Sequence, residues 1–394
     1  MRKTSMALVL MFLMIPMLAA CGGDATPTAT AIPPAATDTP AAAAQPTDTA
    51  AAAAPTDTTA ATESTPTEAM AAGTTPTEGT SGGITPAAPT GRTYVLVPKN
   101  LGNPYFDTAN KGAQDAAKEL GVTVTYQGPA TADATQQIQL INSLIAQHVN
   151  GLAVSADDSD ALVSVGKTAM SQNIPVVSWD SAIAEGGRNV HVNQANSEDI
   201  GRSQVQLISK LIGGKGKIAI LSATSTAPNQ NEWIKWMKDE LTKPEYKDIQ
   251  LVATVYGNDE DTKSYTEAQG LMTTYPDLKG IISPTTVGIA ASAKAVTDAN
   301  KIGQIIVTGL GTPNQMRAYV KSGASPAFEL WNPGDLGYLA IYTLDAIASG
   351  KIKGSAGDNF KAGKLGSYTI APDGTVLLGK PTVFDKDNID QFNF

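Results

Sequence analysis

The stretch TYVLVPKNLGNPYFDTANKGAQDAAKELGVTVTYQG, residues 93–128, contains one complete strand–helix–strand unit. It begins with TYVLVP, whose β-branched and aliphatic residues predict a buried strand. The apolar residues that follow recur at helical spacing: Phe106, Ala109, Ala113, Ala116, Ala117 and Leu120. Gly121 ends this helix, and VTVTYQG predicts the next strand.

The same alternation continues through residues 304–311. Further strands are predicted at GLAVSA, PVVSWD and NVHVNQ, and a second series at KIAILSA, IQLVATVYG, GIISP and QIIVTGLG. Helices are predicted between them, for example over residues 160–172. Near-continuous apolar strands separated by helices indicate parallel sheets that are covered on both faces. Two such series predict an α/β protein with two doubly wound parallel-sheet lobes.

The N-terminal end of the chain has the pattern of a secretory signal. A basic start, MRK, precedes an apolar run at residues 6–20, which suits a signal peptide and is short for a membrane span. The run ends in LAAC, which resembles a bacterial lipobox and implies cleavage after residue 20 and lipidation of Cys21. The alternative is a lone cysteine at the end of an ordinary signal peptide. Because Cys21 is the only cysteine, a disulfide framework and a thiolate metal site are excluded.

Residues 21–91 are predicted to form a disordered tether. Between residues 22 and 90 the chain repeats steps such as TPT, PTDT and PTE, and it contains no Lys, Arg or aromatic residue. Such a segment cannot bury enough apolar area to offset the loss of backbone entropy. We expect it to hold the folded part away from a membrane, since its prolines favour extended conformations.

Charge and motifs favour binding over catalysis. The formal net charge is −9 and no basic run is present, which excludes a nucleic-acid partner. The only histidines are His148, at a helix end, and His191, in a strand pattern, so structural roles are favoured for both. GGKGK lacks the Walker spacing and GLGTPN lacks the third glycine of a dinucleotide motif. No metal motif is present either, and no cofactor is expected.

Polar and aromatic side chains follow the predicted strands, at the sheet edge where ligands bind in doubly wound folds. They are Lys99, Asn100, Asn103, Tyr105, Asp157, Asp158, Trp179, Asp180, Asn229, Gln230, Thr285, Thr286, Gly311, Thr312, Trp331 and Asn332. Amides, hydroxyls and carboxylates pair with hydroxyl groups, and flat rings cover the C–H faces of a sugar. The set therefore suits a polyol.

From residue 93 to residue 394 the chain resembles the type I periplasmic sugar-binding proteins of the ribose-binding superfamily. Within that superfamily it is most similar to the rhamnose-binding proteins of ABC importers, which are related to autoinducer-2 receptors. The stretches that carry the resemblance are VPKNLGNPYFDTANKGAQDAAKELGV, SWDS, NQNEWIKWM, YPDLKGIISPTTVGI, VTGLGTPNQM, ELWNPGDLGYLA and NIDQFNF. Their order along the chain is more specific than any one of them.

The resemblance implies two lobes joined by a three-segment hinge, with crossovers near Asn193, near Trp331 and near residue 366. The expected lobe boundaries are 92–192 plus 332–365 for the N-terminal lobe and 193–331 plus 366–394 for the C-terminal lobe.

The resemblance also implies ligand contacts. Autoinducer-2 receptors bind through a lysine, an aspartate, an Asp-Gln pair, a proline and an alanine. The chain has a lysine, an aspartate and a proline at the matching positions, but an Asn-Gln pair and a threonine at the other two. These departures favour the rhamnose group, whose ligand is a 6-deoxy sugar. The expected ligand-binding residues are Lys99, Asn103, Tyr105, Asp180, Asn229, Gln230, Pro284, Thr286, Trp331 and Asn332.

Most of these residues also have a structural alternative. A helix N-cap is the alternative for the polar residues near helix starts: Asn103, Asp180, Asn229, Gln230 and Thr286. Lys99 is alternatively a solvated charge or a partner of the cleft aspartate. Trp331 and Asn332 lie at a predicted crossover, where a hinge role competes with sugar contact. Tyr105 is expected to face the ligand, and Phe106 the core.

We therefore expect a monomeric, lipid-anchored solute-binding protein outside the cytoplasm. It is expected to bind a monosaccharide, with rhamnose as the first choice, and to deliver it to the transmembrane subunits of an ABC permease. The alternative is a receptor that presents autoinducer-2 or a sugar to a membrane kinase. A hydrolase or isomerase is the third reading, but no acid–base pair can be assembled for it from the sequence.

Overall fold

A computed structural model describes residues 88–394 of the chain. The predicted signal peptide, Cys21 and almost all of the predicted tether lie outside the described residues. The strands are β1 Thr93–Val97, β2 Thr123–Tyr126, β3 Gly151–Val154, β4 Val176–Trp179, β5 Val190–Asn193, β6 Gly216–Ser222, β7 Ile249–Tyr256, β8 Leu278–Ser283, β9 Ile306–Gly309, β10 Ala327–Leu330, β11 Asn359–Lys361, β12 Ser367–Thr369, β13 Thr375–Leu377 and β14 Thr382–Asp385. The α-helices are α1 Pro104–Leu120, α2 Ala134–Ala146, α3 Val163–Ser171, α4 Ser197–Ile212, α5 Pro228–Glu240, α6 Asp261–Thr274, α7 Thr286–Asp298, α8 Pro313–Ser322 and α9 Pro333–Ala348. Every strand that the sequence pattern predicts is present, so the predicted alternation is confirmed. Among these helices none is long and apolar enough to cross a membrane.

The first lobe is built on a six-stranded sheet in the order β13-β5-β4-β3-β1-β2. Every neighbouring pair in it is parallel. In β1, Val95 and Val97 pack with α2 and α3, whereas Tyr94 and Leu96 pack on the side of α1 and α9. Helices therefore cover both faces of the sheet, and this explains why the inner strands β1, β3 and β4 are buried along nearly their whole length.

Helices α1 and α9 lie in backbone contact, which requires glycine at the crossing. A Cβ on Gly112 in α1 would lie 1.8 Å from the carbonyl oxygen of Gly334. A Cβ on Gly337 in α9 would lie 2.0 Å from the carbonyl oxygen of Ala109. Since no side chain fits at either position, these glycines allow two helices that are distant in sequence to pack as one layer.

The second lobe is built on a four-stranded parallel sheet in the order β7-β6-β8-β9. Helix α4, backed by α5, packs against β8 and β9, while α6 and α7 pack together against the same sheet. Strands β10 and β14 form an antiparallel pair, and a bridge between Leu310 and Glu329 joins this pair to the end of β9. The predicted α/β fold with two parallel-sheet lobes is confirmed.

The chain passes between the lobes in three places: between β5 and α4, between β10 and α9, and between β13 and β14. The expectation of a third crossover near residue 366 is wrong. Strand β13 pairs in parallel with β5, so the first lobe extends to at least Leu377. This strand has three residues and no helix precedes it, so the helix–strand periodicity gives no sign of it.

Replacing Gly112 by alanine is expected to lower the free energy of unfolding by about 1–3 kcal/mol, because overpacking forces α1 and α9 apart. The matched control is Gly270→Ala inside α6, where nothing lies within 4 Å of the added Cβ. That control is expected to be neutral or to gain up to about 1 kcal/mol of helix propensity. Urea unfolding measures both variants. A Gly112→Ala protein as stable as the parent would contradict the close crossing.

Candidate functional site

The carboxyl ends of the two sheets face one another across a cavity between the lobes. Its first-lobe lining residues are Lys99, Asn103, Tyr105, Phe106 and Asp180. Its remaining lining residues are Asn229, Gln230, Trp233, Asp259, Pro284, Thr285, Thr286, Leu310, Leu330 and Trp331. All the expected ligand-binding residues except one therefore meet at a single cavity.

The exception is Asn332, whose assignment to the cavity is wrong. Its side chain is exposed and accepts a hydrogen bond of 2.9 Å from the backbone N–H of Gly334. It is thus the N-cap of α9, followed by Pro333 at the first helical position. An Asn-Pro pair is typical of a helix start, and this pattern could have distinguished the cap residue Asn332 from the cavity residue Trp331.

Asp180 is the most densely hydrogen-bonded carboxylate of the cavity. Its Oδ2 accepts from the Ser155 hydroxyl at 2.7 Å, and its Oδ1 accepts from the Tyr105 hydroxyl at 3.0 Å. Lys99 Nζ lies 3.6 Å from Oδ2, with both side chains almost fully buried. Asp180 has a positive φ of 61° and lies in the loop between β4 and β5, where no helix begins. The helix-cap alternative for this residue is therefore wrong.

Tyr105 connects this carboxylate to the hinge. Trp331 Nε1 donates to the Tyr105 hydroxyl at 2.9 Å, and the two rings meet edge to face. Burial, followed by the charge of Asp180, raises the pKa of Tyr105 well above its ordinary value, so the phenol stays a donor. The two hydrogen bonds, from Trp331 to Tyr105 and from Tyr105 to Asp180, fix the direction in which the free lone pairs of the carboxylate point. Sequence reasoning placed all three near the cavity but missed Ser155.

Weak hydrogen bonds join the lobes across the cavity. Lys99 Nζ donates to Asn229 Oδ1 at 3.4 Å, and Asn229 Nδ2 reaches the backbone and side-chain oxygens of Asp180, also at 3.4 Å. The Thr286 hydroxyl donates to Asn103 Oδ1 at 3.3 Å. Each of these bonds is longer than the usual 2.7–3.2 Å. Such contacts are readily exchanged for shorter bonds to a polar ligand.

Several of these residues also hold their own lobe together. Asn103 is the N-cap of α1, because its side chain accepts from the Tyr105 N–H at 3.0 Å. Gln230 accepts from the Ser222 hydroxyl at 2.6 Å and from the Ala223 N–H at 2.8 Å, which fastens α5 to the end of β6. Asn103 therefore both caps α1 and lines the cavity.

The cavity is small. Its volume is about 30 Å³. One water needs about 10–15 Å³, so the cavity suits two or three waters. A ligand of monosaccharide size therefore requires the lobes to separate.

The cavity also has an apolar part of its lining, called here the apolar wall. It consists of Phe106 from the first lobe and Trp233, Pro284, Leu310 and Leu330 from the second. Leu310, like Asp259, follows a strand, so the rule that ligands bind at carboxyl ends could have identified both. Trp233 and Leu330 lie inside a helix and a strand, where their pattern is that of core residues.

Neither histidine belongs to the cavity. His191 is buried beside Ser178, and burial lowers its pKa to about 3, so it is neutral. His148 is exposed just after α2. Within residues 88–394 no group of three or more His, Cys, Asp or Glu side chains is arranged to hold a metal ion.

Comparison with known proteins identifies the family. The family model of the periplasmic binding protein domain matches residues 94–352. The D-allose-binding periplasmic protein of Escherichia coli is 27% identical over 268 residues, which cover 66% of this chain and 86% of that protein.

Two solved structures share the fold and have sequence identities of 37% and 26% to this chain. An ABC transporter solute binding protein from Clostridium phytofermentas with bound L-rhamnose is 37% identical, with a TM-score of 0.74, and covers 77% of this chain and 98% of that one. LsrB from Clostridium saccharobutylicum in complex with AI-2 is 26% identical, with a TM-score of 0.74, and covers 77% and 100%.

The family match covers most of the described residues, and the cavity lies where the lobes of this fold meet. The predictions of a type I binding-protein fold and of a binding rather than catalytic function are confirmed by this membership. The chain belongs to the periplasmic binding protein family and is a two-lobed, extracytoplasmic monosaccharide-binding protein of the ABC transporter type.

Proposed function

We propose that this protein binds L-rhamnose between its lobes and delivers it to the permease of an ABC importer. The observation that carries this proposal is the pairing of a charged hydroxyl-binding group with an apolar wall in one cavity. In this proposal Lys99, Asp180 and Asn229 bind sugar hydroxyls. The wall around Trp233 and Leu310 receives the methyl group that distinguishes a 6-deoxy sugar.

The hydroxyl-binding group has both donors and acceptors. Asp180 retains acceptor capacity beyond its bonds to Tyr105 and Ser155, because a carboxylate has about four lone-pair sites. Lys99 and the amide of Asn229 supply donors within 3.6 Å of that carboxylate. Two adjacent sugar hydroxyls can thus each donate to one group and accept from another, and bonds to charged partners are the stronger ones.

The residues of the cavity also support L-rhamnose over autoinducer-2 as the proposed ligand. An aspartate in place of Asn229 would bring a second carboxylate to about the 3.4 Å at which the amide now meets Asp180, and like charges at that distance repel. The amide removes this repulsion and supplies a donor. The solved relative with bound L-rhamnose, at 37% identity, supports the same choice.

Binding is proposed to drive closure. Sugar first contacts the open first lobe through Asp180 and Lys99, and closure then adds contacts from Asn229 and Thr286. The ligand shifts the equilibrium only by the contacts that the closed state adds. Apart from the 2.9 Å bond from Trp331 at the hinge to Tyr105, the direct bonds between the lobes across the cavity are 3.3–3.4 Å long. Sugar hydroxyls that replace these long bonds with shorter ones favour the closed state. The permease is proposed to recognise that closed, monomeric form.

Isothermal titration of L-rhamnose into residues 22–394 is expected to show one site. D-allose, D-ribose and AI-2 are titrated in parallel as competing ligands. The result that contradicts the rhamnose assignment is no heat with L-rhamnose beside clear binding of another member of the panel. Because the family binds sugars, that result would redirect the specificity and leave the fold-level conclusion intact.

Asp180→Asn is expected to weaken sugar binding by about 100-fold or more, because hydrogen bonds to a charged group contribute roughly 1.5–3 kcal/mol each. The melting temperature of the free protein is expected to change little, since the open cleft hydrates this position. Asp115→Asn, on the exposed side of α1, is the matched control and should leave affinity unchanged. Equal affinity in the Asp180→Asn protein would show that this carboxylate does not touch the sugar.

A receptor for autoinducer-2 is the second candidate. The similarity to LsrB favours it, together with Lys99, Asp180 and Pro284 in the cavity. Tighter binding of AI-2 than of L-rhamnose in the same titrations would establish this alternative.

Lipid anchoring through Cys21 is proposed from the LAAC stretch. Cys21→Ser is expected to move the protein from the membrane fraction to the soluble extracytoplasmic fraction and to abolish labelling by a clickable fatty acid. Thr26→Ser, in the same segment just after the cysteine, is the matched control and should leave both the membrane fraction and the labelling unchanged. Membrane retention of the Cys21→Ser protein would contradict lipid anchoring at this residue.

A further inference from the structure

A buried carboxyl group beside the cavity has no side-chain hydrogen-bond donor. Asp157 lies just after β3, the strand that pairs with β1 in the first sheet. Asp157 is 1% exposed, and the backbone N–H of Asp133 approaches its carboxyl group without reaching the geometry of a full hydrogen bond. Its backbone N–H is satisfied by Gln137 at 3.0 Å. Asp157 is not among the residues that line the cavity, so sugar contact does not explain it.

A second buried carboxyl group approaches from the other lobe. Asp259 follows β7 with a positive φ of 55° and lines the cavity. It accepts a hydrogen bond from the hydroxyl of Thr285. The charge of Asp259 contributes to raising the pKa of Asp157, so the two carboxyl groups lie near one another. The two carboxyl groups belong to different lobes, so they approach one another only when the cleft closes.

The carboxyl groups around Asp157 and Asp259 outnumber the cations that face them. The groups that face Asp157 are Lys99 at the end of β1, Asp133 at the start of α2, and Asp259 from the second lobe. Asp259 faces Lys99 and Asp180 in addition to Thr285. Lys99 is thus the one cation that faces these carboxyl groups within the described residues, and it is already paired with Asp180 at 3.6 Å. A buried carboxylate without a partner is strongly unfavourable and becomes protonated instead.

We propose that closure of the cleft takes up a proton on the carboxyl groups of Asp157 and Asp259, so that the protein binds a neutral sugar and a proton together. This inference rests on the proposed closure around a sugar. In this proposal, opening of the cleft withdraws Asp259 from Asp157 and admits water that hydrates their charges.

The direction of the pH dependence follows. Burial raises the pKa of Asp157 to about 8 in the closed form; Lys99 and the backbone N–H of Asp133 oppose this rise, and the charges of Asp259 and Asp133 add to it. Burial likewise raises the pKa of Asp259. A hydrated carboxyl group in the open form has a pKa near 4. Between about pH 4 and pH 8 the closed form therefore binds more protons than the open form. Sugar binding should tighten as pH falls from about 8. The dissociation constant should fall by up to about tenfold per pH unit for each proton taken up.

The test is a proton count. L-Rhamnose is titrated into residues 22–394 at pH 7 in phosphate, imidazole and Tris buffers, whose ionisation enthalpies differ. The slope of binding enthalpy against ionisation enthalpy is expected to report uptake of about one proton per sugar. A slope of zero with measurable binding overturns the inference and leaves the proposed function standing.

Variants assign the proton. Asp157→Asn is a neutral isostere, so it should lower the proton uptake, flatten the pH dependence of the dissociation constant and keep binding at neutral pH as tight as in the parent or tighter. Asp160→Asn removes the same charge from an exposed site three residues away and should leave the proton uptake unchanged. Glu260→Gln is the matched exposed control for Asp259→Asn. Full proton uptake in both Asp157→Asn and Asp259→Asn would overturn the assignment.

If L-rhamnose gives no heat, the sugar of the panel that binds most tightly replaces it in the same buffers. A chain that binds no sugar of the panel overturns both proposals. Tight binding of a cationic amino sugar without proton uptake overturns this inference alone, because the ligand would then supply the missing positive charge.

Discussion

The site depends on one buried carboxylate, Asp180, and on the groups that hold it in place. Ser155 and Tyr105 donate to its two oxygens, Lys99 balances its charge, and Trp331 at the hinge orients Tyr105. A carboxylate buried without such partners would be neutral and would lose its value as an acceptor. Because Trp331 lies between the lobes, the orientation of the acceptor is coupled to the position of the hinge.

The two lobes face each other with different chemistry, and this difference shapes what the cleft does. The first lobe holds the carboxylate and the lysine, whereas the second supplies an amide, hydroxyls and most of the apolar wall. Apart from the bond from Trp331 at the hinge to Tyr105, the hydrogen bonds that join the lobes across the cavity are long, so few strong contacts hold the closed form without sugar. A sugar that hydrogen-bonds to both lobes supplies the contacts that favour closure. In the proposed mechanism closure also brings the carboxyl groups of Asp157 and Asp259 together, and this favours their protonation.

The sequence predicted the parts of this structure that periodicity and position encode. Buried parallel strands alternate with amphipathic helices, so the two-lobed fold followed from TYVLVP and its successors, and the cavity followed from the residues after those strands. The third crossover was placed too early because β13 is a short edge strand whose partner, β5, is distant in sequence. Asn332 was misassigned because a cap and a ligand contact use the same residue type. Trp233 and Leu330 were missed because a cavity wall inside a helix or strand has the pattern of a core.

The most direct test of the account is the distance between the lobes with and without sugar. Thr131 and Glu260 are exposed residues from different lobes that border the same crevice beside the cavity. Residues 22–394 contain no cysteine, so Thr131→Cys with Glu260→Cys gives two unique sites for spin labels. Pulsed electron paramagnetic resonance should show a broad, longer distance in the free protein and a narrow, shorter one with saturating L-rhamnose. One distance distribution that is unchanged by a bound sugar would contradict closure as the response to the ligand.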